Sequence, residues 1–220
     1  MRVTSLGHSC LLVEEGGSRL LVDPGAFSPD VPGRLAALLD GAALDAVLVT
    51  HTHADHCDPA TVRALADAHP AARLLAEAGA QETLAAEGVT AETLAVADRL
   101  DLGDLHVTAV GGRHALIHAD VPRVGNVGLV VRGDRATLFH PGDSYEATPG
   151  SVDALAVPLN APWAAVKETV EFVRTVEPRV VLPVHDALLR EERREVYLGH
   201  VRRLGRAAVH DLATEGPWSA

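Results

Sequence analysis

Ala46-Val47-Leu48-Val49-Thr50-His51-Thr52-His53-Ala54-Asp55-His56 is the stretch that decides how this chain folds. Its first four residues form a short continuous apolar run, as a strand buried on both faces requires. Directly after it, four potential metal ligands fall within six positions: His51, His53, Asp55 and His56. At a strand end the chain can turn, so alternate residues converge instead of pointing to opposite faces. Imidazole suits Zn, Fe, Ni and Cu, and an added carboxylate extends the range to Mn. A lone histidine here would read as an exposed loop residue or a cap. Four ligand types at this spacing behind an apolar strand point to a metal site.

Outward from this segment, strands come first and helices follow. Arg2–Leu6, Ser9–Glu14 and Arg19–Asp23 read as strands, the last two joined by the turn Glu15-Gly16-Gly17-Ser18. Val31–Leu39 reads as a short amphipathic helix. Asp58-Pro59 supplies an N-cap and an N1 proline for a helix over Ala60–Ala68. A strand at Arg73–Ala76 and a helix over Ala78–Ala86 complete the first half. The second half repeats the order: a strand at Leu105–Val110, a hairpin of Val127–Arg132 with Ala136–Phe139, and a strand at Ala154–Val157. Then come a helix over Ala164–Val176, a strand at Val180–Val184, a helix over Glu191–Leu204 and a last strand at Ala207–His210. Two sheets between outer helices satisfy this pattern. A doubly wound dinucleotide-binding sheet fits less well, because no Gly-x-Gly-x-x-Gly follows the first strand.

The chain has 220 residues and a formal charge of −11, with 47% hydrophobic and 22% charged residues. That balance is globular, and the length suits one domain spanning residues 1–220. The negative charge argues against nucleic acid as a general partner, which requires clustered cations. Two cysteines, Cys10 and Cys57, make no disulfide framework. No segment reads as a signal-peptide core or a membrane helix, so a cytoplasmic protein is expected. Oligomeric state leaves no mark, and a homo-oligomer stays open. The unusual number is the twelve histidines.

His51-x-His53-x-Asp55-His56 resembles the His-x-His-x-Asp-His motif of the metallo-β-lactamase superfamily. Later elements resemble that family in order: Leu21-Val22-Asp23-Pro24, His114 after the Leu105–Val110 strand, Asp143 in Phe139-His140-Pro141-Gly142-Asp143, and His185 in Leu182-Pro183-Val184-His185. Leu6-Gly7-His8-Ser9 and the compact length are most similar to the branch containing ascorbate-6-phosphate lactonases. The resemblance implies a four-layer αββα sandwich with a dinuclear metal site along one sheet edge. It implies that His51, His53 and His114 hold one metal, that Asp55, His56 and His185 hold the other, and that Asp143 bridges them. The metals would be two divalent ions, zinc first and manganese second. Asp55 would also orient the nucleophile.

Other residues carry two readings each. His8 is a pocket residue near the metals or a turn histidine, and His118 is a substrate contact or a loop residue. Both are taken forward as catalytic candidates with Asp55. Asn126 could donate its amide to substrate, His140 reads as a sheet-end histidine, and Asp23 reads as an acceptor for a ligating imidazole. Cys57 reads as a packing or pocket-lining residue, Asp186 as a cap, and Trp163 as the start of a helix near the second half's core or a wall of the substrate pocket. The function expected is hydrolysis of a small ester, lactone, amide or phosphoester, the substrate being anionic if the metals attract it. The alternatives are a metal-binding sensor or structural protein, and a phospholipid phosphodiesterase.

Overall fold

The computed structural model describes residues 1–220. In the first sheet, β1 (Arg2–Gly7), β2 (Cys10–Glu15) and β3 (Ser18–Val22) run antiparallel, as their tight turns dictate. From β3 onward, β4 (Ala46–Val49), β5 (Arg73–Ala76) and β6 (Glu92–Thr93) are added in parallel. These parallel additions need crossovers, supplied by α1 (Val31–Leu39), α2 (Pro59–Ala68) and α3 (Ala78–Ala86). The second sheet follows the same rule. β7 (Arg99–Leu102), β8 (Leu105–Gly111), β9 (Val127–Arg132) and β10 (Thr137–His140) form an antiparallel meander. β11 (Ala154–Pro158), β12 (Val180–Val184) and β13 (Ala208–Val209) then extend it in parallel, through α4 (Val166–Val176) and α5 (Glu191–Leu204). A terminal strand, β14 (Trp218–Ser219), pairs with β1.

Alternation along each strand builds the layers. Leu20 and Leu48 face the core between the sheets, together with Leu129, Leu138 and Leu182 from the opposite sheet. Their neighbours Leu21 and Val47 face outward onto Leu35 and Leu65 of the first helical layer. Leu155 and Val181 likewise pack on Phe172 and Val201 of α4 and α5. The result is the expected αββα sandwich. β4 is buried at all four positions, as its apolar run requires. Asp58 caps α2, its carboxylate accepting the Thr61 N–H at 3.1 Å, with Pro59 in the first turn.

Some boundaries differ from expectation. α4 begins at Val166 and not at Ala164, because Ala164 closes a turn on the Ala161 carbonyl just after Pro162. β6 and β14 are two-residue edge strands too short for any periodicity to register. β7 alternates exposed and buried residues and pairs with β8 through a turn at Gly103. No helix of the chain is long and apolar enough to cross a membrane.

Candidate metal centre

The C-terminal ends of β3, β4, β10 and β12 open toward one edge of the sandwich, where the β1–β2 turn and the chain after β8 join them. Two clusters of ligand atoms result. In one, atoms of His51, His53, His114 and Asp143 all lie within 4.8 Å of one another; in the other, atoms of His8, Asp55, His56 and His185 do. Asp143 lies between them. Its Oδ1 is 3.1 Å from His56 Nε2, and its Oδ2 is 3.4 Å from His114 Nε2 and 3.2 Å from His185 Nε2.

Each buried imidazole is held by its other nitrogen. His56 Nδ1–H donates to Asp23 Oδ2 at 2.7 Å. The Thr50 hydroxyl also donates to Asp23 Oδ2 at 2.7 Å, leaving its oxygen to accept His51 Nδ1–H at 3.0 Å. His114 Nδ1–H donates to the Ala115 carbonyl at 2.7 Å, and His185 Nδ1–H to the Asn160 carbonyl at 2.6 Å. The Nε2 atoms of all four rings, and Asp143 Oδ1, are buried without a hydrogen-bond partner. Unpaired buried polar atoms are costly, so five converging on one place require an occupant. Imidazoles fixed at Nδ1, with Nε2 free beside carboxylates, are the donor set a divalent cation needs, and these residues fit one.

The electrostatics agree. Burial alone would raise the Asp143 carboxyl, but the adjacent His56, His114 and His185 rings hold it well below the usual carboxylate range. Asp55 is depressed likewise: the nearby His185 ring and the hydrogen bond from His8 overcome its burial. Burial pushes His51 well down, whereas for His56 the carboxylates of Asp143 and Asp23 outweigh burial and push it well up. The site is a field of anionic oxygens facing basic nitrogens.

His8 is geometrically part of the second cluster, but its hydrogen bonds describe a different task. The Ala187 N–H donates to His8 Nδ1 at 3.3 Å. A neutral ring then carries its proton on Nε2, which donates to Asp55 Oδ2 at 3.1 Å. Burial lowers the His8 pKa and favours that neutral form. His8, Asp23 and His185 all adopt left-handed backbone conformations, with φ of 42°, 50° and 59°. Such strain concentrates where a site demands it.

The remaining candidates separate clearly. His118 is exposed, and its Nδ1 accepts the Asp120 N–H, so the structure does not bring it to the ligand atoms. Asn126 is committed elsewhere: its amide donates to the Pro141 carbonyl and its oxygen accepts the Asp143 N–H, both at 2.9 Å. It shapes the turn that presents Asp143 and does not reach toward substrate. His140 is also structural, with Nε2–H donating to the Ser9 carbonyl across the sheets and Nδ1 accepting the Gly142 N–H. Asp186 pairs with Arg194 in place of capping. Cys57 is buried, and burial followed by the charge of Asp23 raises its thiol to about 12. Sequence reasoning missed that the Trp163 indole N–H donates to Asp143 Oδ2 at 2.8 Å. Position after Pro162 was its only signal.

Residues 2–185 match the family model described as the beta-lactamase superfamily domain. Protein Rv0786c of Mycobacterium tuberculosis is 40% identical over 207 residues, covering 93% of this chain and 92% of its own. A UPF0173 metal-dependent hydrolase of Carboxydothermus hydrogenoformans is 27% identical over 198 residues, covering 84% of each. The metallo-β-lactamase fold protein YhfI of Bacillus subtilis superposes with a TM-score of 0.77 at 16% identity, over 100% of this chain and 99% of that one. With its paired sheets, outer helices and histidine-rich edge, the chain belongs to the beta-lactamase superfamily and carries the metallo-β-lactamase fold.

Proposed function

We propose that the chain is a dinuclear metal-dependent hydrolase of a small ester, lactone, amide or phosphoester. The observation that carries this reading is the set of four buried, unpartnered Nε2 atoms around Asp143. His51, His53 and His114 would hold one divalent ion, Asp55, His56 and His185 the other, and Asp143 both. The mixed nitrogen and oxygen donors suit zinc, with manganese second. Such ions, when bound, lower the pKa of water toward about 7 and polarise the scissile oxygen.

The chain's own groups do the rest. Asp23 and Thr50 orient His56 and His51. The Trp163 N–H restrains the Asp143 carboxylate. His8 holds Asp55 Oδ2, so that this carboxylate is positioned to orient the attacking water. His118 receives no role from this geometry. Relatives bearing the name metal-dependent hydrolase support the reaction class.

The test is to purify the chain, count metals per polypeptide and screen lactone, ester and phosphodiester substrates. Two metals with hydrolysis of one class is the expected result. Two metals without turnover on any class overturns the proposal in favour of a binding protein.

A further inference from the structure

The two oxygens of the Asp143 carboxylate have unlike surroundings. Oδ2 accepts the Trp163 indole N–H at 2.8 Å and lies 3.4 Å from His114 Nε2 and 3.2 Å from His185 Nε2. Oδ1 is buried without a hydrogen-bond partner and lies 3.1 Å from His56 Nε2. Each carboxylate oxygen offers two lone pairs. The indole takes one of the two on Oδ2, and Oδ1 keeps both.

The donor is held firmly. Trp163 sits in the loop between β11 and α4, where the Ala164 N–H closes a turn on the Ala161 carbonyl at 3.1 Å. The same loop supplies the Asn160 carbonyl that accepts His185 Nδ1–H at 2.6 Å. One loop therefore grips a residue of the second cluster and the residue between the clusters. The indole meets the Tyr145 ring edge-on, with 4.8 Å between centroids, and the His114 ring at 6.0 Å. Tyr145 is fixed in turn: its hydroxyl donates to the Pro158 carbonyl at 2.6 Å, and its ring stacks on Phe172 at 4.6 Å. An indole N–H donates only, so it restrains the carboxylate without adding charge or competing as a ligand. Asp23 and Thr50 each aim a ring, whereas Trp163 discriminates between two oxygens of one group.

We infer that Trp163 is a positioning residue that sets how Asp143 is shared between two ions, one oxygen to each. Oδ2, with one lone pair left, serves the ion of His51, His53 and His114. Oδ1 serves the ion of Asp55, His56 and His185. A single shared oxygen is the competing arrangement, and the approach of His114 and His185 to Oδ2 from opposite clusters favours it on distance alone. That arrangement consumes both lone pairs of Oδ2, and the indole N–H already holds one. This assignment rests on the dinuclear reading for the two ions.

The experiment uses the full chain loaded with zinc. Crystal structures of the loaded wild type and variants read which Asp143 oxygen binds each ion, X-ray absorption gives the ion separation, and elemental analysis gives the ion count. Trp163→Phe keeps an aromatic ring against Tyr145 and removes the donor. A second variant carries benzothienylalanine in place of Trp163, which keeps the bicyclic shape and lacks the N–H. The wild type is expected to bind one ion on each oxygen with the indole contact intact. Both variants are expected to move to a single shared oxygen with a shorter ion separation. They are also expected to bind the weaker ion about tenfold to a hundredfold less tightly in chelator competition. Both ions on Oδ2 in the wild type, or an indole that leaves Oδ2 when the ions enter, overturns the inference and leaves the dinuclear reading standing. An unchanged bridge in both variants also overturns it. A wild type that binds a single ion overturns the dinuclear reading itself, and the inference with it.

Discussion

Asp23 Oδ2 receives the Nδ1–H of His56 at 2.7 Å, and the same oxygen accepts the hydroxyl of Thr50, which in turn holds His51. One buried carboxylate therefore orients an imidazole in each cluster. Removing such an outer partner typically costs tenfold to a hundredfold in metal affinity. Asp23→Ala is expected to weaken binding at both clusters by about that factor, read by chelator competition. Loss confined to one cluster would show that the Thr50 relay does not operate.

His51→Ala and Asp143→Ala are expected to lower metal content and abolish hydrolysis, the second more completely because Asp143 adjoins both clusters. Elemental analysis beside an activity assay decides this. Full turnover by either variant would refute the ligand assignment.

His8 distinguishes two roles. If it donates to Asp55, His8→Ala retains both metals and lowers kcat about tenfold to a hundredfold. His8→Gln, whose amide N–H can still reach a carboxylate, should recover part of that loss. Loss of one metal equivalent in His8→Ala would instead make it a ligand.

Gly25 packs directly on the ligand loop. A Cβ at that position would lie 1.9 Å from the Asp55 carbonyl oxygen, a backbone atom with little freedom to retreat. Gly25→Ala is expected to destabilise the fold by about 1–3 kcal/mol and to reduce metal retention at the Asp55 cluster. Thermal unfolding and metal counting would register both. An unchanged melting temperature would show that the two loops separate freely.

Arg194 clamps Asp211 with contacts of 2.6 and 2.8 Å and also pairs with Asp186, fastening α5 to the segment before β14. Burial alone would raise the Asp211 carboxyl, but Arg194, Thr214 and the Ala213 N–H hold it below its usual value. A depressed folded pKa stabilises above the unfolded value, near pH 3.9, and that contribution disappears as pH falls through the lower folded pKa. Asp211→Asn should cost about 2 kcal/mol at pH 7, with the difference from wild type shrinking below about pH 4. Urea midpoints across pH measure this. A difference that persists at low pH would assign the loss to packing.

The sequence by itself determined the order of elements, the two strand-then-helix halves and the ligand-rich loop after β4. Apolar runs, tight turns and helix caps are local signals that survive without neighbours. It also marked Asp23 as a partner for a ligating imidazole, although not which one. What only the tertiary structure decided is how side chains remote in sequence share hydrogen bonds. Asn126 read as an amide donor to substrate and His140 as a sheet-end histidine, yet the fold uses both to shape the turn before Asp143. His118 is four residues from His114, but its loop carries it into solvent. Trp163 reaches Asp143 across 20 positions, and the Asn160 and Ala115 carbonyls that hold His185 and His114 belong to the backbone. A backbone acceptor leaves no trace in residue type, and a turn's direction depends on the sheet it leaves. Only packing the two sheets face to face determines which polar atoms are satisfied and which remain for a metal.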